Sequence, residues 1–285
     1  MRVLVLGVTG MLGNAVHKVF SRSGGFEVWG TMRSSKDLCH FSAEFHERLL
    51  YGVDVLDQDM LVKVLRRVRP QIVVNCVGLI KQLADSKDPL SALPINSMLP
   101  HRLANLCGLL GARLIHVSTD CVFSGRNGNY SEDDISDAED LYGKSKFIGE
   151  LHDYPDAVTL RTSIIGHELM SNFALIDWFL SQEGTVKGFS RAIFSGLPTV
   201  ELALVMRDFV VPRPELSGLF HVAAKPISKF DLLRLVAKQY GKKIQIIPDD
   251  SLVIDRSLNG ARFSQVSGYV APDWPHLVST MHESR

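Results

Sequence analysis

A tyrosine and a lysine lie four residues apart in the segment 141–146, and a Ser-Thr-Asp run precedes them. On a helix, positions four apart share one face, so the phenol of Tyr142 and the ammonium of Lys146 leave the same side. A cation beside a phenol favours the phenolate and lowers its pKa, which suits a general acid/base at neutral pH. Thr119, or failing that Ser118, offers a hydroxyl to hold the reacting oxygen. We therefore predict Thr119, Tyr142 and Lys146 as catalytic residues.

A lone Tyr-x-x-x-Lys spacing is common by chance, so this interpretation depends on a second motif. That motif is a glycine-rich turn between the first apolar run, Arg2–Leu6, and a helical pattern. Glycines there let a pyrophosphate approach backbone N–H groups at the positive end of the helix dipole. A purely structural turn is the alternative. The predicted dinucleotide contacts in this turn are Gly7, Thr9, Gly10, Met11, Leu12 and Gly13.

The end of the second predicted strand indicates which dinucleotide fits. NAD-binding chains of this type place an acid there to hold the ribose hydroxyls. This chain has Arg33, followed by Ser34 and Ser35, and no acid. A guanidinium can pair bidentately with a 2′-phosphate. We therefore predict NADP(H) as the preferred cofactor, with NAD(H) as the alternative, and Arg33 and Ser34 as contacts. The competing interpretation of Arg33 is a solvated loop cation.

Further contacts are expected where other strands end, because ligands lie beyond the carboxyl ends of strands in an open α/β sheet. Asp54 follows a short apolar run and could meet the adenine amino group, although an Asp that opens a loop also serves as a turn cap. The remaining predicted cofactor contacts are Asn75, Cys76, Val77, Gly78, Ser118, Thr162 and the pair Tyr142 and Lys146.

The elements that position these residues alternate between short apolar runs and helical patterns, which is typical of a parallel sheet covered on both faces. We predict strands at 2–6, 26–30, 72–76, 113–117 and 158–162, and helices at 11–24, 57–70, 97–110, from 141, at 172–182 and at 228–241. The predicted fold class is α/β, with a Rossmann-type doubly wound parallel sheet in residues 1–164. Residues 165–285 are expected to form a smaller α+β substrate-binding lobe, with some segments returning to the first domain.

Composition argues against several classes of protein. The chain has 31 basic and 31 acidic residues among 285, so it carries no net field that would attract nucleic acid or a membrane surface. No apolar stretch approaches the roughly 20 residues of a spanning helix, and no signal peptide is evident. We expect a soluble, cytoplasmic protein. No metal is predicted, because the histidines and cysteines show no ligand spacing. The residues expected to be buried small hydrophobes are Cys39, Cys76, Cys107 and Cys121.

With these residues in place, the chain resembles the extended short-chain dehydrogenase/reductases, and within them the dTDP-4-dehydrorhamnose reductase group of nucleotide-sugar reductases. The resemblance covers nearly the whole chain. It rests on GVTGMLG at 7–13, NCVG at 75–78, INSMLPHRLA at 95–104, HVSTDCVFSG at 116–125, LYGKSKFIGE at 141–150 and LRTSIIG at 160–166.

The resemblance implies a catalytic triad of Thr119, Tyr142 and Lys146, in which the lysine also holds the nicotinamide ribose. It implies that the later lobe binds a nucleotide sugar and that the protein is a homodimer. The implied reaction is NADPH-dependent reduction of the 4-keto group of a nucleotide-linked deoxysugar, in the biosynthesis of surface polysaccharide or O-antigen precursors. Related dehydratases carry Ser-Thr-Asp-Glu, whereas Cys121 follows Asp120 here, so reduction is favoured over water elimination.

Two features leave alternatives open. The segment 81–94 departs from the pattern of rhamnose synthesis, so the sugar is not assigned. An epimerase that retains NAD is a second interpretation, which Arg33 disfavours. A third is a non-catalytic NADP-binding regulatory subunit, because the regulatory subunit of methionine adenosyltransferase resembles the same family. Four basic residues are interpreted as surface charges rather than ligands of a substrate diphosphate: Arg191, Lys225, Arg256 and Arg262.

Overall fold

The computed structural model describes residues 1–79 and 87–285. Residues 81–86 of the divergent segment 81–94 therefore lie outside the described residues. The strands, in chain order, are β1 Arg2–Leu6, β2 Glu27–Thr31, β3 Leu49–Leu50, β4 Ile72–Asn75, β5 Arg113–Thr119, β6 Ala157–Thr162, β7 Ile164–Ile165, β8 Thr185–Phe189, β9 Ala192–Phe194, β10 Leu197–Pro198, β11 Gly218–His221, β12 Ile227–Ser228, β13 Gln245–Asp249 and β14 Ile254–Asp255.

A seven-stranded parallel sheet forms the centre of the molecule, in the order β11-β6-β5-β4-β1-β2-β3. The strand order reverses between β1 and β4, and an open sheet binds ligands in the crevice at that switch point. The Rossmann-type α/β fold is confirmed. The predicted strands of this sheet agree with the observed ones to within two residues at each end.

Helices cover both faces of this sheet. They are α1 Met11–Ser21, α2 Gln58–Val68, α3 Pro89–Ala92, α4 Leu99–Leu110, α5 Leu141–Ile148, α6 Leu175–Ser181, α7 Thr199–Val205, α8 Lys229–Gln239, α9 Ala261–Ser267 and α10 Trp274–Glu283. Along β1, Val3 and Val5 join the core shared with α1 and α7, whereas Leu4 and Leu6 join the core shared with α2 and α4. Alternate side chains of a strand point to opposite faces, so an uninterrupted apolar strand is buried on both sides.

The helix predicted at 97–110 begins earlier than expected. α3 continues through a π-helical turn, Leu93–Met98, into α4, so one helix spans residues 89–110. Asp88 caps its start by accepting from the N–H of Leu90 at 3.0 Å. Pro94 and Pro100 lack a backbone N–H, which indicated a later start. The wider π turn accommodates them by shifting the hydrogen-bond register, with Leu99 N–H bonded to the carbonyl of Pro94.

The C-terminal part of the chain contributes a strand to the central sheet and a helix to the layer that covers it. β11 extends the central sheet beyond β6, and α7 packs against α1. The remaining C-terminal strands form small sheets, with β9 between β12 and β14, β8 beside β13, and β7 beside β10. Ser228 caps α8, since its hydroxyl accepts from the N–H of Asp231 at 3.0 Å.

The cysteine prediction is only partly correct. None of the four cysteines, all of them in the described ranges, forms a disulfide, and Cys107 is buried in the core. Cys76 and Cys121 are half-buried, and Cys39 is exposed in a 3₁₀-helix, Ser35–His40, that follows β2, so it is not a core residue. No helix within the described ranges is long and apolar enough to cross a membrane.

Candidate active site

The glycine turn after β1 is shaped for close approach. Gly7 has a φ of 81°, in the left-handed region that favours glycine, and its carbonyl accepts from Gly10 N–H at 3.1 Å. A Cβ on Gly13 would lie 2.1 Å from the carbonyl oxygen of Gly7, so only glycine lets α1 begin this close to the turn. In the described part of the chain no side chain caps α1, which has no acid in its first turn. Its free N–H groups therefore suit an anion such as a pyrophosphate.

The other residues of this turn take different places. Thr9 and Met11 are half-buried and Gly10 is exposed, so these three border the crevice. Leu12 is buried in the core, and only its backbone is near the helix start. A Cβ on Gly166, just after β7, would lie 3.4 Å from Met11 Cγ, which brings the end of LRTSIIG over the turn.

Arg33, Ser34 and Asp54 lie at the β2–β3 end of the sheet edge. Arg33 is exposed, and its carbonyl accepts from Gly52 N–H at 3.2 Å. Within residues 1–79 and 87–285, no carboxylate pairs with its guanidinium. The hydroxyl of Ser34 accepts from Lys36 N–H at 3.1 Å, and Asp54 accepts from Leu56 N–H at 2.9 Å. The two side chains therefore cap local turns, while the guanidinium stays available to an anion.

The loop after β4 carries the NCVG motif toward the lysine of α5. Asn75 is buried, accepts from Val77 N–H at 3.1 Å and bonds through its amide nitrogen to His116 at 3.1 Å. A Cβ on Gly78 would lie 3.9 Å from the Nζ of Lys146. Cys76 contributes little as an ion, because burial raises the pKa of its thiol to about 12. The predicted contacts of this loop thus lie beside the predicted catalytic lysine.

Tyr142 and Thr119 meet where α5 crosses the end of β5. Asp140 caps the helix by accepting from Gly143 N–H at 2.8 Å. A Cβ on Gly143 would lie 2.2 Å from the carbonyl oxygen of Cys121, so glycine at this position lets α5 pack directly on the turn after β5. This packing brings the phenol of Tyr142 beside the side chain of Thr119. The Thr119 hydroxyl donates to the carboxylate of Asp120 at 3.2 Å and accepts from Cys121 N–H at 3.1 Å. The pattern of residues that indicated catalysis is therefore a spatial cluster.

Lys146 is buried, with 6% of its surface exposed, and its Nζ donates to the carbonyl of Val117 at 2.8 Å. Burial lowers the pKa of its ammonium to about 8, and the nearby carboxylate of Glu150 opposes that shift. The lysine thus sits on the same helix face as Tyr142 and is held by the strand that carries Thr119.

The expected effect of Lys146 on the phenol is not observed. Burial raises the pKa of Tyr142 above its ordinary value, and the neighbouring Cys121 and Asp120 raise it further, while the adjacent Thr119 side chain lowers it. Desolvation is the largest of these effects, and the ammonium of Lys146 is directed to the carbonyl of Val117. The prediction of a lowered phenol pKa is therefore wrong for this structure, and Tyr142 keeps its proton at neutral pH.

Ser118 and Thr162 differ in their relation to this cluster. Successive strand residues point to opposite faces, and the hydroxyl of Ser118 donates to the buried carboxylate of Glu150 at 2.6 Å. Thr162 pairs with Thr119 across β5 and β6, and its hydroxyl donates to Ser163 at 3.1 Å. Thr162 is thus a neighbour of Thr119, the predicted catalytic threonine, whereas the hydroxyl of Ser118 bonds to a carboxylate in the protein interior.

Asn96 is a site residue that the sequence reasoning did not select. It lies in the π-helical turn, is buried, and accepts from Leu79 N–H at 2.9 Å through its side-chain oxygen. Its amide nitrogen donates to the hydroxyl of Ser145 at 3.1 Å. Asn96 therefore links the loop after β4 to α5 between Tyr142 and Lys146. A polar residue within an otherwise apolar helical motif, INSMLPHRLA, was the available signal.

On the C-terminal side, Arg256 reaches the turn that follows Thr119. Its Nε donates to the carbonyl of Phe123 at 2.8 Å, and its Nη1 lies 3.7 Å from the sulfur of Cys121. Burial raises the pKa of the Asp120 carboxyl, and the charge of Arg256 opposes that shift. Arg256 is thus half-buried at the site, contrary to the surface position expected. Arg262 does pair on the surface with Glu132 and Asp133, and Arg191 and Lys225 are exposed.

Comparison with known proteins agrees with this architecture. The beta subunit of methionine adenosyltransferase 2 from Danio rerio is 30% identical over 251 residues, covering 84% of this chain and 74% of that protein. A dTDP-4-dehydrorhamnose reductase from Aggregatibacter actinomycetemcomitans is 26% identical over 240 residues, covering 81% and 76%.

The same fold occurs in a crystal structure of dTDP-4-dehydrorhamnose reductase from Bacillus anthracis in complex with NADP. That structure superposes with a TM-score of 0.79 at 19% identity and covers 99% of this chain and 98% of its own. The family model described as the RmlD substrate binding domain matches residues 1–267. Since this match spans nearly the whole chain, the protein belongs to the RmlD substrate binding domain family.

Proposed function

We propose that this protein is an NADPH-dependent reductase of the 4-keto group of a nucleotide-linked deoxysugar, acting in the biosynthesis of a surface polysaccharide precursor. One observation carries the proposal. Tyr142 lies beside the side chain of Thr119 and on the same helix face as the buried Lys146, at the carboxyl end of a Rossmann sheet. The relatives named as dTDP-4-dehydrorhamnose reductases support the same activity.

The residues fit the cofactor that this reaction needs. The glycine turn would receive the pyrophosphate, and Arg33, exposed and without a carboxylate partner among the described residues, would pair with the 2′-phosphate. NADPH is therefore preferred to NADH. The loop after β4 and Lys146 would border the nicotinamide half. When bound, the cofactor supplies the hydride that reduces the carbonyl carbon.

Side chains of the protein bind and protonate the oxygen of that carbonyl. Thr119 holds the oxygen through its hydroxyl, and Tyr142 gives it the proton as negative charge develops there. A phenol with a raised pKa is protonated at neutral pH, which is the state that the reduction direction requires. Lys146, held by Val117, places a positive charge on the helix face that carries the phenol.

The direct test is NADPH oxidation, followed by absorbance, with a panel of dTDP-, UDP- and GDP-linked 4-keto sugars. Tyr142→Phe should lower kcat by about 10²- to 10⁴-fold, because it removes the proton donor and little else. NADPH should still bind this variant with wild-type affinity, as measured by fluorescence. Wild-type turnover in Tyr142→Phe would contradict the assignment.

A second candidate function is a non-catalytic subunit that binds NADP and regulates a partner enzyme. The similarity to the methionine adenosyltransferase beta subunit favours it. This candidate predicts NADPH binding without oxidation of NADPH by any keto-sugar nucleotide, and co-purification of a partner from the native source. The same panel of substrates therefore distinguishes the two functions.

A further inference from the structure

A buried ionic network lies on the side of β5 opposite Thr119. Its centre is Arg161 on β6, the largest fully buried side chain among the described residues. The Nε and Nη2 of Arg161 donate to the two carboxylate oxygens of Glu150 at 2.8 and 2.5 Å. Ser118 donates to the same carboxylate at 2.6 Å. The carboxylate thus accepts three short hydrogen bonds in the protein interior.

His221 on β11 completes the network as a neutral ring. Arg161 donates through Nη1 to the Nε2 of His221 at 2.8 Å, so that nitrogen accepts, because a guanidinium has no acceptor. The proton is therefore on Nδ1, which donates to the carbonyl of Tyr130 at 3.0 Å. Burial, followed by the charge of Arg161, lowers the pKa of His221 to about 3. The network thereby reaches the loop that follows the catalytic threonine.

Two adjacent residues of β5 are tied to one end of α5. Val117 accepts from the ammonium of Lys146 at 2.8 Å, and Ser118 donates to Glu150 at 2.6 Å. Glu150 follows Lys146 by four residues, just past the last turn of α5. The end of the strand and the end of the helix are therefore cross-linked twice, and Thr119 is the next residue along the strand.

Stability alone does not account for this arrangement. Taking a carboxylate and a guanidinium out of water is costly, and apolar residues of equal volume commonly stabilise a fold as well or better. A bidentate pair does fix geometry, because two parallel N–H to oxygen bonds allow little rotation. The Glu150–Arg161 pair therefore gives the groups that bond to it a defined position.

We propose that Ser118, Glu150 and Arg161 are positioning residues that hold Lys146, Tyr142 and Thr119 in register for the reaction. The inference rests on the proposed function for its kinetic consequences, and on the hydrogen bonds above for its geometry. None of the three residues touches substrate in this assignment. Their effect is on the rate of the chemical step and not on the affinity for NADPH.

Ser118→Ala is the informative variant, because it removes one hydrogen bond and leaves the Glu150–Arg161 pair intact. We expect kcat to fall about tenfold, the rate equivalent of one hydrogen bond to a charged group, with the KM for NADPH unchanged. Thr159→Val is the matched control, since Thr159 is a buried hydroxyl on β6 that bonds to Leu151 N–H at 3.0 Å and to none of the three network side chains. Its kcat should equal that of the wild type.

A second measurement does not depend on turnover. Acetylation of Lys146 by acetic anhydride is followed by peptide mass spectrometry, with the exposed Lys187 as internal standard. Loosening the network in Ser118→Ala or Glu150→Gln should accelerate acetylation of Lys146 several-fold relative to Lys187, and Thr159→Val should not. If no sugar nucleotide of the panel supports NADPH oxidation by the wild type, the proposed function is contradicted. The ratio of Lys146 to Lys187 labelling still tests the positioning inference in that case.

Three results would overturn the inference. A higher KM for NADPH in Ser118→Ala with unchanged kcat would make Ser118 a cofactor contact. An equal loss of kcat in Thr159→Val would make the effect a general consequence of lost packing. Labelling of Lys146 at the wild-type rate in both network variants would show that the network does not hold the lysine.

Discussion

The two ends of the crevice at the sheet edge are built on opposite principles. At the β5 end, Lys146, Thr119 and the network behind them are buried, and each is hydrogen-bonded to other groups of the protein. At the β2–β3 end, Arg33 is exposed with no carboxylate partner in the described ranges, and Asp54 bonds only within its own turn. The side chains at the β5 end are thus already bonded within the protein, whereas the guanidinium at the β2–β3 end is exposed to solvent.

The difference reflects what each end has to do. Proton transfer depends on the placement of reacting groups to within a fraction of an ångström, so the proposed catalytic groups are fixed by the fold. Recognition of a phosphate tolerates a mobile cation, because a guanidinium can close on the anion at the cost of its rotamer entropy. A substitution at the first end should therefore change rate, and one at the second end should change affinity.

The largest effect is expected at the buried end, for Lys146→Met. The substitution keeps the length of the side chain but removes the ammonium that binds Val117, and kcat should fall by about 10²- to 10⁴-fold. Lys144→Met is the matched control, because Lys144 is exposed on the same helix and should give wild-type rates. Steady-state NADPH oxidation measures both. Similar losses in the two variants would show that the burial of Lys146 is not what distinguishes it.

A smaller effect, on affinity alone, is expected for Arg33→Ala. Loss of a guanidinium–phosphate contact should raise the Kd for NADPH about 10- to 100-fold, with no change for NADH, which lacks the 2′-phosphate. The kcat at saturating NADPH should stay at the wild-type value. Arg48→Ala serves as the control in a fluorescence titration, because Arg48 is an exposed cation at the end of the 3₁₀-helix Ala43–Arg48, between β2 and β3. A lowered kcat for Arg33→Ala would remove the contrast between the two ends.

The smallest effect concerns His17, a residue of α1 that packs against the segment after Arg33. His17 is buried between Phe41 and Phe45, and within the described chain its Nε2 has no hydrogen-bond partner. Burial lowers its pKa to about 4, against 6.5 in the unfolded chain. Between pH 6.5 and 4 the unfolded state binds a proton that the folded state does not, so folding stability falls as pH falls through this window.

His17→Leu should therefore be more stable than the wild type, and by a margin that grows in acid. We expect the margin in the free energy of unfolding to be about 2 kcal/mol larger at pH 5 than at pH 7.5. Urea unfolding at the two pH values measures this margin, with His40→Leu as the control for an exposed histidine of the same segment. An equal margin at both pH values would mean that His17 is not held neutral by burial.

Much of the central sheet and most of the catalytic cluster could be predicted from local patterns. The strands are apolar runs bounded by turns, and a glycine turn between a strand and a helix has few functions other than phosphate binding. Asn96 and the Glu150–Arg161 pair were not selected, since their partners lie on other elements: Asn96 binds Leu79 and Ser145, 17 and 49 residues away. Hydrogen bonds of that kind depend on how helices and strands pack, which no spacing along the chain reveals.

The amino-acid sequence by itself determined the fold class, the glycine turn and the identity of the Tyr/Lys pair, because these follow from periodicity and from residues a few positions apart. Tertiary structure alone decided that the pKa of Tyr142 is raised rather than lowered, that Ser118 bonds inward to Glu150, and that Arg256 joins the site. The physical reason is that desolvation and hydrogen-bond partners are properties of the space around a group. That space is built by segments brought together from distant parts of the chain.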